Sequence, residues 1–382
     1  MDFGLSEDQR LLKESVERLL ADRYDFEKRK GFMKSADGWS RELWKQYGEL
    51  GLLGLPFDEK HGGFGGGPVE IMIVMEAFGR ALALEPYVAT VLLGGGAVRH
   101  AGNEVQRTAI LPKVASGELL LAFAHAERQS RYDLGDVLLT AKNDASGYVL
   151  DGAKSLVLHG DTADQLIVSA RVSGGRKDRD GIALFIVDSK AKGVSCRGYQ
   201  TNDGQRAAEI TFEGVKVVAD AALGEPGNAF PAIERVVHET IAALAAEAVG
   251  AMTAMHEMTV DYLRTRKQFG VPIGSFQVLQ HKAVDMLVAI EQARSIMMFG
   301  TMMAAEADAR ERAKAMSAVK AQIGRSGQIV GQISTQLHGG IGMTMEYKGG
   351  HYFKRLAIID TMFGDADHHL AALARMGGLV AA

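Results

Sequence analysis

The chain has 382 residues, 47% of them apolar, with 43 basic against 47 acidic side chains and a net charge of -4. That composition excludes a disordered chain, and the absence of any block of like charge removes a bulk attraction to nucleic acid or to an anionic membrane. The single cysteine, Cys196, excludes an intrachain disulfide and a cysteine metal cluster and suits a reducing cytoplasm, while the length allows two or three domains.

The amino end, MDFGLSEDQRLLKESVERLL, is amphipathic and acidic where a leader would be basic and then apolar, and no apolar run reaches about 18 residues. The expectation is a cytoplasmic protein, mature as written, with no membrane insertion. Leu11, Leu12, Val16, Leu19 and Leu20 recur at helical spacing behind Ser6, and Glu7 and Asp8 follow it, so Ser6 is the expected N-cap of a first helix. Ser40 is expected to open another. The cluster HGGFGGG at 61–67 breaks the helical pattern, and a long Ala/Leu/Met segment resumes it from about 68 to 100.

Near residue 119 the character changes. LLLAFAHA, GYVLDG, DQLIVSARV, IALFIVD and AEITFEGVKVV are short runs rich in β-branched or aromatic residues, parted by Gly, Asp and Asn, which predicts an antiparallel barrel or sandwich. GRKDRDG at 175–181 is read as a charged hairpin loop whose basic side chains are solvated. After EPGNAFPAI the helical pattern returns, with segments at roughly 228–266, 275–305, 308–338 and 366–379. The order is helices, strands, helices, an α+β arrangement with expected domains at 1–118, 119–225 and 226–382; it does not alternate as a Rossmann domain would.

Two motifs stand out in the last part. In YLRTRKQFGVPIGSFQVLQHKAVDM, at 262–286, Arg264, Arg266 and Lys267 end one helix, and a turn leads to another that opens at Ser275 with Gln277 in its first turn. The basic residues suit the negative end of a helix dipole, or Arg266 and the free amides of the next helix receive a phosphate. In QLHGGIGMTMEY, at 336–347, Gly339 and Gly340 either cap the helix that carries Gln328, Gln332 and Gln336 on one face or let backbone approach a ligand closely.

Together, in this order and behind a strand-rich middle, RTRKQFGVPIGSFQ and QLHGGIG resemble the acyl-CoA dehydrogenase family over essentially the whole chain. The resemblance implies an amino-terminal helical domain, a β-barrel-like middle domain and a carboxyl-terminal four-helix bundle. It implies FAD, with Arg266, Phe269 and Gln277 on the diphosphate and adenosine held by a neighbouring subunit, and Gln336, Gly339 and Gly340 packed on its adenosine part. An oligomer follows: a homodimer or tetramer, or a heterotetramer with a second acyl-CoA dehydrogenase-like subunit. The implied chemistry is α,β-dehydrogenation of an acyl-CoA thioester, with electrons passed to an electron-transferring flavoprotein.

That chemistry needs a carboxylate to take the α-proton. Relatives place it in a Tyr-Glu-Gly-Thr sequence before the last helix, and the matching residues here are Met362, Phe363, Gly364 and Asp365, so the base position holds Phe363. Other relatives draw it from the position of Thr240, and the adjacent Glu239 points about 100 degrees away around a helix. Two carboxylates become the catalytic candidates. Glu247 follows Thr240 on the same helical face inside IAALAAEAVGAM, as a base or substrate contact, or as a buried partner of Arg or His. Asp365 heads ADHHLAALARM, as a base or as the cap of that helix; the stretch has too few ligands for a metal.

The middle domain departs too. AERQSRYD at 126–133 stands for Thr-Glu-Pro-Gly-Ala-Gly-Ser-Asp, keeping Glu127 and Asp133, and LVLH at 156–159 stands for Trp-Ile-Thr-Asn, putting Leu158 where relatives bring a threonine to flavin N5. Arg128 and Arg131 attract an anion or form surface ion pairs. The pattern resembles a divergent bacterial branch that includes the pimeloyl-CoA dehydrogenase small subunit, in which one subunit can lack the base and its partner supply it. The alternative reading is therefore a non-catalytic subunit that holds FAD or CoA for a partner.

Overall fold

A computed structural model describes residues 4–377. Chain order gives a helical amino-terminal part, a β middle part and a carboxyl-terminal helical bundle, the expected α+β architecture. By compactness the chain forms two units: one gathers the chain up to Gly31, Pro68–Ala83 and the chain from Ile241 onward, and the other gathers Phe32–Gly67 and Leu84–Thr240.

Helix α1 (Glu7–Arg23) starts where expected, through a capping box in which the Ser6 hydroxyl accepts from the Gln9 amide and the Gln9 side chain accepts from the Ser6 amide. After α2 (Phe26–Met33), Ser40 caps α3 (Arg41–Glu49). The segment expected to be helical from 68 to 100 is broken: α4 (Pro68–Ala81) stops at Leu82, whose φ is +58, then a π-helical stretch Val88–Gly95 leads into α5 (Gly96–Ala101) and α6 (Glu104–Ala115). A run of Leu, Ala and Gly satisfies the helical period in either winding, so periodicity alone does not see the change.

The strands are β1 (Leu121–Ala124), β2 (Thr140–Asp144), β3 (Gly147–Leu158), β4 (Gln165–Arg171), β5 (Ile182–Asp188), β6 (Val194–Gln200), β7 (Arg206–Val218) and β8 (Ala222–Leu223). They form one sheet in the order β6-β7-β3-β2-β4-β5-β8, with β1 added to β4. It is not wholly antiparallel, because β1 and β2 both run parallel to β4. Its packed face carries Leu150, Val168, Phe185, Ile210 and Phe212, all buried. The 175–181 loop joins β4 to β5 as expected, but Arg176 is tied to Asp136 by a fork of two bonds, at 2.5 and 2.6 Å.

Helix α7 (Phe230–Thr265) is the one described helix long and apolar enough to cross a membrane, and 89% of its apolar window is buried in protein. In the first unit α4 crosses it at glycines: a Cβ on Gly79 would land on the Glu247 carbonyl, and one on Gly250 on the Glu76 carbonyl. The hairpin β9 (Lys267–Gln268) and β10 (Val271–Pro272) leads to α8 (Gln277–Met303), α9 (Ala309–His338), α10 (Lys348–Thr361) and α11 (Ala366–Arg375). Of the last expected helix, 366–379, residues 378 and 379 lie outside the described residues.

Candidate active site

The turn after α10 is one of the irregular pieces of backbone in the first unit. Phe363 has φ +58 and Gly364 φ +113, and left-handed backbone costs a bulky residue roughly 1–3 kcal/mol unless its surroundings impose it. They do so from two sides. Lys320 of α9, only 2% exposed, donates Nζ to the carbonyls of Ile359 at 2.5 Å and Asp360 at 2.9 Å. Those are the acceptors that the amides of Phe363 and Gly364 would take if the helix continued. From α11, His369 sets Nε2 3.0 Å from the Phe363 carbonyl. A carbonyl only accepts, so Nε2 bears the proton and Nδ1 accepts the Ser317 hydroxyl at 3.2 Å. Burial pushes His369 down to about 4 and Lys320 down to about 8. The Phe363 N–H has no acceptor among the described residues.

The two candidate carboxylates are both engaged. Asp365 is the N-cap of α11, its Oδ1 accepting from the His368 amide at 2.8 Å. Glu247, 3% exposed, forms a bidentate ion pair with Arg355 of α10: Nε donates to Oε1 at 2.5 Å and Nη2 to Oε2 at 2.8 Å. In the second unit the Thr240 hydroxyl bonds back to the Val236 carbonyl at 2.8 Å. Glu239 is gripped there by Arg99, His100 and Arg235. Burial alone would raise it, but those three groups outweigh burial and hold it down at about 2.

The residues expected at a dinucleotide fall on two surfaces of the first unit. Arg266, Phe269 and Gln277 cluster at the hairpin and the start of α8. Arg266 is exposed and forms no ion pair among the described residues, and Phe269, at φ +54, is 92% exposed with Phe276 edge-on at 6.1 Å. Ser275 does not open α8 as expected: it donates to the Pro272 carbonyl at 2.7 Å, and Phe276 becomes an N-cap without a side-chain bond. The first amides of α8 therefore lack a side-chain cap, an arrangement suited to an anion beside Arg266. Gln336, Gly339 and Gly340 are exposed at the end of α9, in line with Gln328 and Gln332. Gly339 has φ +65, and a Cβ at either glycine would meet nothing within 4 Å. Beneath them His338 is fixed between the Ser334 carbonyl, at 2.8 Å, and the Tyr347 hydroxyl, at 2.9 Å.

In the second unit, the 126–133 segment and β3 line one groove of about 730 Å³ that includes Glu127, Arg128, Lys154 and Ser155. Lys154, fully buried, donates to Glu127 at 2.7 Å, Ser169 at 2.9 Å and the His125 carbonyl at 3.1 Å. Burial pushes it down to about 8. Glu127 also accepts from the Leu138 and Leu139 amides, at 2.9 and 3.1 Å. Burial would raise it, but Lys154 prevails and its carboxyl lies below the ordinary value. Arg128 pairs with Glu209 at 3.4 Å. Leu156 and His159 have φ +53 and +49, and the β3–β7 register shifts beside them, so the segment bulges out of the sheet. Sequence reasoning missed Lys154, Lys320, Ser317 and His369; the available signal was a lysine inside the apolar stretches DGAKSLV and AMSAVKAQIG and the paired histidines after FGD.

Comparison with known proteins gives one family. Residues 6–118, 122–215 and 230–377 match, respectively, the acyl-CoA dehydrogenase N-terminal, middle and C-terminal domains. The chain is 31% identical over 309 residues to a probable acyl-CoA dehydrogenase, YngJ, of Bacillus subtilis (strain 168), covering 78% of this chain and 79% of that protein. It is 33% identical over 298 residues to mitochondrial isovaleryl-CoA dehydrogenase of Pongo abelii, covering 76% and 70%. A chain of the ChsE4–ChsE5 complex of Mycobacterium tuberculosis superposes with a TM-score of 0.86 at 25% identity, covering 98% of each chain.

Proposed function

The chain belongs to the acyl-CoA dehydrogenase family, and on that premise we propose that it binds FAD between two protomers and removes hydrogen from the α and β carbons of an acyl-CoA thioester. One observation supports this above the others: at the turn where relatives carry their glutamate, Phe363 keeps an N–H with no acceptor among the described residues, in a backbone that only its surroundings make tenable. Such a donor polarises the thioester carbonyl, which acidifies the α-proton. The change of side chain from glutamate to phenylalanine leaves that amide intact.

The residues toward the cofactor suit it. Arg266 would meet the diphosphate, Phe269 would cover the adenosine, Gln277 lies at the open start of α8, and Gln336 with Gly339 and Gly340 would offer exposed backbone to a neighbouring protomer's nucleotide. When bound, FAD supplies the acceptor for the β-hydride, and an electron-transferring flavoprotein relieves it of the electrons. For the α-proton we propose Asp365 ahead of Glu247. Asp365 stands two residues from Phe363, whereas both oxygens of Glu247 are spent on Arg355. Titrating the flavoprotein anaerobically with acyl-CoAs tests the pair: flavin bleaching that Asp365→Asn abolishes and Glu247→Gln spares is the expected result.

That both carboxylates are already engaged favours a second reading, in which this chain holds the flavin and thioester while a second subunit supplies the carboxylate. A chain of this fold occurs in the ChsE4–ChsE5 complex. On this reading bleaching starts only when the partner is added.

A further inference from the structure

We propose that His369 is a positioning residue: held by Ser317, it pins the carbonyl of Phe363 so that the same residue's N–H is presented, preformed, to the thioester oxygen. The inference deepens the proposed function and rests on it. A backbone turn that must donate one strong hydrogen bond gains most if it is fixed before the ligand arrives, because no reorganisation is then spent at the moment of reaction. The turn shows how that is arranged. Lys320 satisfies the carbonyls of Ile359 and Asp360, so they do not need the amides of Phe363 and Gly364 as helical partners. His369, 7% exposed, then holds the next peptide unit, Phe363–Gly364, by its carbonyl at 3.0 Å, and the φ of +58 at Phe363 sets the direction of the N–H relative to it.

The ring itself has no freedom to turn. Its Nδ1 accepts from Ser317 at 3.2 Å, and Gly364 presses on it so closely that a Cβ there would meet Nε2 at 2.6 Å. Ser317, Lys320 and Gly324 follow one another at three- and four-residue spacing on one face of α9. Gly324 admits Asp360, whose Oδ1 a Cβ would strike and which accepts the Ala366 amide at 3.3 Å. Burial also keeps the ring neutral, which fixes one nitrogen as donor and the other as acceptor. A histidine that served packing alone would need neither a chosen tautomer nor a glycine against its donor atom.

The test uses the FAD-loaded protein and an aryl-enoyl-CoA, a product-like thioester whose absorption moves to the red when its carbonyl is polarised. Wild type is expected to produce the red shift, His369→Leu to lose most of it while keeping its flavin and its circular dichroism, and His369→Gln, which retains an N–H donor, to recover at least half. With saturating substrate, flavin bleaching in His369→Leu should slow by about 10- to 100-fold with KM changed less than about 3-fold, the range for losing one oriented donor. A full shift in His369→Leu overturns the positioning role and leaves the dehydrogenase reading standing. No shift in wild type overturns the Phe363 amide as the carbonyl donor, and this role with it. If His369→Leu does not fold, Ser317→Ala decides instead: partial loss of the shift supports the role, and an unchanged shift overturns it.

Discussion

At the scale of single residues, Glu247 shows how the same side chain can be read two ways from sequence and one way from contacts. A lone carboxylate in IAALAAEAVGAM must find a cation or give up its charge, and nothing nearby in the chain names the partner, because Arg355 lies 108 positions away. Breaking such a pair leaves a charge without its counterpart. Glu247→Ala should therefore cost roughly 3–5 kcal/mol in chemical denaturation, and Glu247→Met with Arg355→Met should restore most of it; an Ala variant as stable as wild type would refute the structural role of the pair. Gly364→Ala, which combines φ +113 with a clash on His369, should cost roughly 1–3 kcal/mol. Two of the buried histidines set a pH dependence. His125 and His369 are held down at about 3 and about 4 from an ordinary 6.5, in both cases mainly by burial. The unfolded chain thus binds more protons than the folded one below pH 6.5, and stability should fall as pH drops from 6.5 toward 4. His369→Gln should flatten that slope if unfolding is followed by circular dichroism at each pH.

At the scale of elements, the legible parts were those with a local cause. Ser6 and Ser40 announce their helices because a hydroxyl followed by amides is a complete N-terminus in itself, and five of the eight sheet strands show as apolar runs because one or both faces are buried. The illegible parts have causes elsewhere. Strand β6 is almost wholly exposed, so VSCRGYQ carries no alternation to detect. The stop at Leu82 comes four residues before Pro86 and the π-helical stretch runs into Gly94, Gly95 and Gly96, signals that the Leu/Ala periodicity masked. Ser275 failed as a cap because the residue after the 3-10 turn, Phe276, took the position. The α4–α7 crossing is another case: Gly79 and Gly250 look like weak points in helices, and contact between backbones explains them. Gly250→Ala should lose roughly 1–3 kcal/mol or more, since its Cβ would land on the Glu76 carbonyl; a variant stabilised by the better helix former would show that the helices separate easily.

At the scale of the whole molecule, the order of helices, strands and helices together with two short motifs was enough to place the chain in its family; those motifs carry exposed backbone at Gly339 and Gly340 and, at Arg266, a guanidinium with no ion pair among the described residues. The site's chemistry was legible only in its departures. Phe363 in place of a glutamate says what is missing, and only the folded turn, with Lys320 and His369 beneath it, says what remains. On the cofactor side, Arg266→Glu should release flavin, with the protein purified nearly colourless and rebinding FAD at least about 10-fold more weakly, as expected for losing a charged hydrogen bond to phosphate. The central claim is that this chain presents an acyl-CoA thioester to FAD through the Phe363 turn, and anaerobic titration of the yellow protein with a panel of acyl-CoAs tests it most directly. Stoichiometric loss of the visible flavin absorbance with at least one acyl-CoA, alone or once a second subunit is added, is the predicted result; a protein that takes up no flavin, or flavin that no acyl-CoA bleaches under either condition, would contradict it.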